Sequence, residues 1–150
     1  KMKHGMIRYR TSLPDYSDVP EGGVNWDSLI YCGAKELIPD DVPKPLGKEV
    51  ITTTYQDANL YHNLLDGRSV TGIIHFLNAT PIDWFSKKQG TVKTSTFGSE
   101  FFSAQTATEQ VMDLQTTLRY MGVPIKHSLI FGDNQSIVSN ATIPHSKLTK

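Results

Sequence analysis

The sequence predicts an α/β domain on a mixed sheet: an antiparallel three-strand meander, a long helix, and a fourth strand parallel to the first. Three observations lead there. Residues 50–90 hold three successive runs rich in β-branched and aromatic residues, separated by turn residues. From Phe97 to Met121 the apolar spacing changes to steps of three and four. A further apolar run, "KHSLIFGD", then breaks off at Asp133.

In chain order, residues 1–49 read as a connector. "DYSDVPEGG" and "IPDDVPKPLGKE" are rich in Pro, Gly and Asp and hold no sustained period. Between them "VNWDSLIY" offers a short helix or strand anchored by Trp26, Leu29 and Ile30. Residues 50–150 form the organised part. "VITTTYQDANL" is the first strand. Asp66–Gly67 marks a hairpin turn, and Val70 to Leu77 the second strand. Asn78 to Pro81 punctuate, and "IDWFSKKQG" is the third strand, with one of Trp84 and Phe85 entering the core. Phe97, Phe101, Ala104, Thr108, Val111, Leu114 or Gln115, Leu118 and Met121 then mark a helix of about seven turns. Ser95 or Thr96 caps it, and Gly122 and Pro124 stop it. "KHSLIFGD" is the fourth strand, and "NQSIVSNA" a short helix or turn. The long helix supplies the crossover that makes strands one and four parallel.

Composition sets the limits. A chain of 150 residues with 38% hydrophobic content suits one domain with a tether. It begins with Lys1, ends without a terminal signature, and reads as a fragment of something longer. The net charge is 0, slightly acidic before Asp57 and slightly basic after it, so a nucleic-acid surface must be local. Cys32 is the single cysteine, which excludes an internal disulfide and a zinc–cysteine cluster and fits a reducing compartment. No run approaches the roughly 20 apolar residues of a membrane span, so no membrane partner is expected.

Three carboxylates fall where this topology converges. Asp57 comes late in the first strand, among polar neighbours. Glu100 lies in the first turn of the long helix, on a face shared with Ala104, Ala107 and Val111. Asp133 ends the fourth strand. Taken singly, each has an ordinary reading: a strand-end residue, a charge at a helix N-terminus, and a cap for the helix that follows. Taken together, parallel strands bring Asp57 and Asp133 to one sheet edge, with Glu100 over it. Converging carboxylates repel unless a cation joins them, and oxygen ligands suit Mg2+ or Mn2+. Two ions about 4 Å apart would suit phosphodiester hydrolysis. No histidine pair, Ser-His-Asp arrangement or Walker loop competes as a centre.

Around this core, Lys87, Lys88 and Lys93, with Gln89 between, read either as phosphate contacts or as a solvated turn. Ser95, Thr96 and Ser99 can meet a phosphate or a 2′-hydroxyl, although capping explains at least one of them. His62 and His75 receive no role, and His145 and Lys147 lie near the chain end.

These residues carry a family resemblance. Residues 50–150 resemble the ribonuclease H region of a copia-type LTR retrotransposon polyprotein, through "TYQDANLYHNLLDGRSVTGIIHFLN", "PIDWFSKKQGTVKTSTFGSEFFSA" and "FGDNQSIVSNATIPHSKLTK". The tract before resembles the connector that follows the reverse transcriptase in such polyproteins. The resemblance implies a ribonuclease H-like fold and metal binding at Asp57, Glu100 and Asp133. It also implies hydrolysis of the RNA strand of an RNA–DNA hybrid, alongside the reverse transcriptase region. The setting would be intracellular: a cytoplasmic retrotransposon particle or the nucleus. Two departures stand out. Where the family often has an acidic pair, this chain has Asp57 and Asn59. The family fold also continues into a fifth strand, a last helix and a fourth carboxylate, which would lie beyond Lys150. The domain is therefore expected to be truncated at its C-terminus, with the second metal site incomplete and a sheet edge uncovered. The competing reading keeps the fold as an inactive remnant, a tether or a hybrid-binding module.

Overall fold

The computed structural model describes residues 9–10, 12–18, 37–60 and 66–142. The segment around Trp26, Leu29 and Ile30, and Cys32, His62, His145 and Lys147, lie outside them. The elements are β1 (Val50–Asn59), β2 (Val70–Leu77), β3 (Thr80–Lys88), α1 (Thr96–Tyr120), β4 (Ile125–Phe131) and α2 (Gln135–Thr142). The sheet order is β3-β2-β1-β4; β1–β2 and β2–β3 are antiparallel, and β1–β4 is parallel. This is the mixed sheet of a ribonuclease H-like α/β fold, with α1 as the crossover.

Local chemistry explains the boundaries. Asn78 sits at φ 53 in the tight β2–β3 turn, and its Oδ1 accepts from Ile51 N (2.9 Å), so the turn also pins the start of β1. Ser95 caps α1 by accepting from Gly98 N (3.2 Å), and Gly122 ends it in the left-handed region at φ 72. The β1–β2 ladder closes at Asn59↔Val70, so residues 60–69 form the connection. Asp66–Gly67, with Gly67 at φ 65, is thus a turn within a longer connection rather than a two-residue hairpin. There Arg68 N donates to Asp66 Oδ1 (3.1 Å).

The helix face differs from the expected stripe. The buried residues of α1 are Ser99, Glu100, Ser103, Ala107, Val111 and Leu118, whereas Phe101, Thr108 and Met121 are exposed. The helix is rotated so that small residues meet the sheet, because only they let it sit close to the β1 and β2 threonines. The displaced face, with Phe101, Ala104 and Thr108, instead lines a groove of about 350 Å³ against Ile137 and Ala141 of α2. On β3, Phe85 is half-buried and Trp84 is exposed.

The layer under α1 is strongly polar. Thr52, Thr54 and Thr71 are buried there with Ala58 and Ile73. Their hydroxyls are satisfied where partners are in reach: Thr52 Oγ1 donates to Ser128 Oγ (2.6 Å). Buried His75 ties β2 to both neighbours. Its Nε2 donates to Gln110 Oε1 on α1 (3.0 Å), leaving Nδ1 to accept from Thr54 Oγ1 (2.8 Å). On the far face Tyr16 hydrogen-bonds Thr53 Oγ1 and packs on Phe131. Tyr55 stacks on Phe131 with centroids 5.3 Å apart. That stack fixes β1 to β4 at their last paired residues, just before the acidic positions.

Candidate metal centre

The β1–β4 ladder ends at Tyr55↔Phe131. Two residues further along each strand are Asp57 and Asp133, so parallel pairing brings both carboxylates out at the same end of the sheet. Alpha-helix α1 then takes part in holding β1. Glu100 Oε1 accepts from Ala58 N (3.2 Å), and Ser103 Oγ donates to Asp57 O (3.0 Å). One carboxylate oxygen from each of Asp57, Glu100 and Asp133 lies within 4.8 Å of the other two.

The three are not equivalent. Asp57 and Asp133 are exposed and line a cleft of about 310 Å³ with Tyr55, Gln56, Phe131 and Gly132. Glu100 is only 3% exposed, and its Oε2 is buried with no hydrogen-bond partner among the described residues. Burial raises its pKa from 4.5 to about 7; the Ala58 N–H opposes the rise, and the charges of Asp57 and Asp133 reinforce it. An ionised carboxylate here lacks a counter-charge, which is the condition a divalent cation relieves. The donor set is all oxygen and borne on three different elements, and it opens to solvent on the side of the two aspartates. Such a site fits a hard cation that retains water ligands.

Asp57 does lie near the end of β1, but the ordinary readings of Glu100 and Asp133 do not fit the structure. α1 begins at Thr96 and has no acidic residue in its first turn, so Glu100 lies too far along to act as a helix N-terminal charge. The cap of α2 is Asn134, whose Oδ1 accepts from Ser136 N (3.1 Å) and Ile137 N (3.2 Å). Asp133 is thereby left to the cluster.

With this geometry in view, the chain can be compared with known proteins. No family model matches it, and no solved structure does. Over 92 residues it is 27% identical to the retrovirus-related Pol polyprotein from transposon TNT 1-94 of Nicotiana tabacum. That is a similarity to part of a retrotransposon Pol polyprotein. It covers 61% of this chain and 7% of the polyprotein.

The residues expected to meet a nucleic acid divide by exposure. Lys87, Ser95 and Thr96 are exposed, and half-buried Lys93 lies with its Nζ 5.5 Å from the Phe102 ring centroid. Lys88 is exposed but paired with Asp66 Oδ2 at 2.7 Å. Gln89 and Ser99 are buried. Gln89 Nε2 donates to Thr71 Oγ1 (3.0 Å) and Ser99 O (3.0 Å), and Ser99 Oγ donates to Thr96 O (2.9 Å). These two brace the start of α1 against the β2–β3 end. Sequence reasoning missed Ser103, Gln56 and Asn134. Only Asn134, directly before a helix, carried a local signal.

No helix among the described residues is long and apolar enough to cross a membrane.

Proposed function

We propose that this chain is the ribonuclease H region, with its preceding connector, of a copia-type LTR retrotransposon polyprotein. Residues 1–49 would follow the reverse transcriptase region and residues 50–150 would form the nuclease domain, working on RNA–DNA hybrids in the element's particle. The observation that carries this reading is the meeting of Asp57, Glu100 and Asp133 within 4.8 Å, with one Glu100 oxygen buried and without a partner among the described residues. The partial similarity to a Pol polyprotein supports the context.

In this reading Asp57, Glu100 and Asp133 hold Mg2+ or Mn2+, two ions in the complete domain. When bound, such ions activate water and stabilise the leaving oxygen of a phosphodiester. The protein supplies the rest. Glu100, held by Ala58 N–H on a buried helix face, is a rigid ligand, while the two solvent-facing aspartates leave room for a phosphate between them. Lys87, Lys88, Lys93, Ser95 and Thr96 offer donors for backbone phosphates beside the cleft, and Gln89 and Ser99 support them from beneath.

The test is cleavage of a labelled RNA–DNA hybrid with Mg2+ and then Mn2+, beside Asp133→Asn. RNA-strand cleavage that disappears in Asp133→Asn is the expected result. Absence of cleavage from folded protein that still binds the hybrid would favour the non-catalytic module instead.

A further inference from the structure

We infer that Gln56 and Gly132 act as a pair of positioning residues that set the gap between Asp57 and Asp133. The inference rests on the metal reading above. It starts from register. One step beyond the last ladder pair, Tyr55↔Phe131, Gln56 comes opposite Gly132; one step further, Asp57 comes opposite Asp133. β4 is an edge strand of the four-stranded sheet, and no ladder pairs it to β1 past Phe131. The position of Asp133 therefore depends on what its approach packs against.

That support is the Gln56 side chain. It is 6% exposed and lies across the Gly132 backbone. A Cβ at Gly132 would fall well inside van der Waals contact with Gln56 Nε2, and 3.3 Å from Cδ. Only glycine lets the strand end settle this close. The Gln56 Oε1 is buried without a hydrogen-bond partner among the described residues. A buried amide oxygen left unpaired is unfavourable, so hydrogen bonding does not explain a glutamine here. Its length does: the side chain fills the space beneath the turn into Asp133. Both residues line the same cleft as the two aspartates. A spacer at this point acts on the approach to Asp133, because the β1–β4 ladder ends one residue earlier while β1 stays paired to β2 through Gln56↔Ile73.

The experiment is calorimetric titration of Mn2+ into the full chain at pH 8, with thermal melts alongside. Variants are Gln56→Ala, Gln56→Met, Gly132→Ala and the double Gln56→Ala/Gly132→Ala, with Asp57→Asn as the site control. Outer supports of metal ligands typically change affinity about 10- to 100-fold, so Gly132→Ala and Gln56→Ala should each weaken Mn2+ about tenfold. Gln56→Met keeps the bulk without the amide and should remain within about threefold of the parent. The double variant should bind no more weakly than Gln56→Ala alone, since the new methyl then has room. Losses that multiply in the double variant, or equal affinities for Gln56→Ala, Gln56→Met and the parent, overturn the pairing and leave the metal site standing. Should Gly132→Ala fail to fold, the comparison of Gln56→Ala with Gln56→Met decides by itself. If the parent chain binds Mn2+ no better than Asp57→Asn, the metal reading falls and this inference with it.

Discussion

The two halves of α1 meet the same sheet by different means. Toward the C-terminus the contact is mainly apolar, through Ala107, Val111 and Leu118, with Gln110 accepting from buried His75 of β2. Toward the N-terminus it runs through Ser99, Glu100 and Ser103, all buried and polar, and is made by specific hydrogen bonds to β1. The apolar contacts of Ala107, Val111 and Leu118 involve no charged group. The polar half holds a carboxylate whose second oxygen has no partner among the described residues, so its contribution depends on what occupies the cleft. The comparison shows where a small domain places its cost: at the end that carries the carboxylate cluster, with the other end compensating.

The largest effect should come from Asp57, the β1 carboxylate that faces the polar half. Asp57→Asn keeps shape and loses charge. Hydrolysis of a labelled hybrid should fall by about 10³-fold or more, as expected when a group acting on the transition state is lost. The metal-free melting temperature should hold or rise, because a repelling charge has gone. A parallel fall in activity and stability would mean that Asp57 supports the fold, and the contrast between the halves would fail.

Next in size is Leu118→Ala at the apolar half. Leu118 is 6% exposed, and such truncations cost about 2–5 kcal/mol. Denaturant melts should show this loss equally at pH 5 and pH 8, and equally with and without Mg2+. A loss that varied with either would mean that the two halves are coupled.

Glu100→Gln sharpens the comparison through pH. The folded pKa of Glu100, about 7, lies above its ordinary 4.5, so between these values the folded state binds more protons than the unfolded one. Stability of the metal-free protein therefore falls as pH rises through that window, and stays low above it. After allowance for screening by the open cleft, ionisation costs roughly 1–3 kcal/mol. Glu100→Gln should recover that amount at pH 8, gain nothing below pH 4.5, and abolish metal binding. A flat difference between the variant and the parent across pH would show that burial does not hold the proton.

The same contrast explains what could be read from the sequence. The strands were legible because β-branched runs such as "VITTTY" and "VTGIIHFL" suit a pleated, covered surface whatever their partners. The three carboxylates were legible because a charge near an apolar stripe and a charge at a strand end both demand an explanation. The face of α1 was legible only in part: Glu100, Ala107, Val111 and Leu118 lie on it as expected, but its start differs. Phe97 and Phe101 carry the hydrophobic signal, yet Ser99, Ser103 and Ala107 make the contact, because small size rather than apolarity governs close approach to the sheet. Gln56 and Gly132 were invisible for a further reason. They are 76 positions apart, and their contact exists only once the β1–β4 register is set. Asp133 and Asn134 were ambiguous because either side chain can cap a helix, and only the direction of the turn assigns the role.

The smallest effect concerns the very start of the polar half. Ser95 caps α1 and also stands among the residues proposed to meet phosphate. Ser95→Ala should cost about 1 kcal/mol by removing the acceptor for Gly98 N–H. Ser95→Asp separates the two roles, because aspartate caps as well as serine but repels a phosphate. If Ser95 only caps, Ser95→Asp should restore stability and leave hybrid affinity, measured at fixed low salt, as in the parent. If it also meets the substrate, stability should return while hybrid affinity falls by several-fold, and the deficit should shrink as salt screens the added charge. The second result is the one expected from its exposed position beside Lys93 and Thr96. It would extend the functional surface from the carboxylates to the first residue of the helix that carries Glu100.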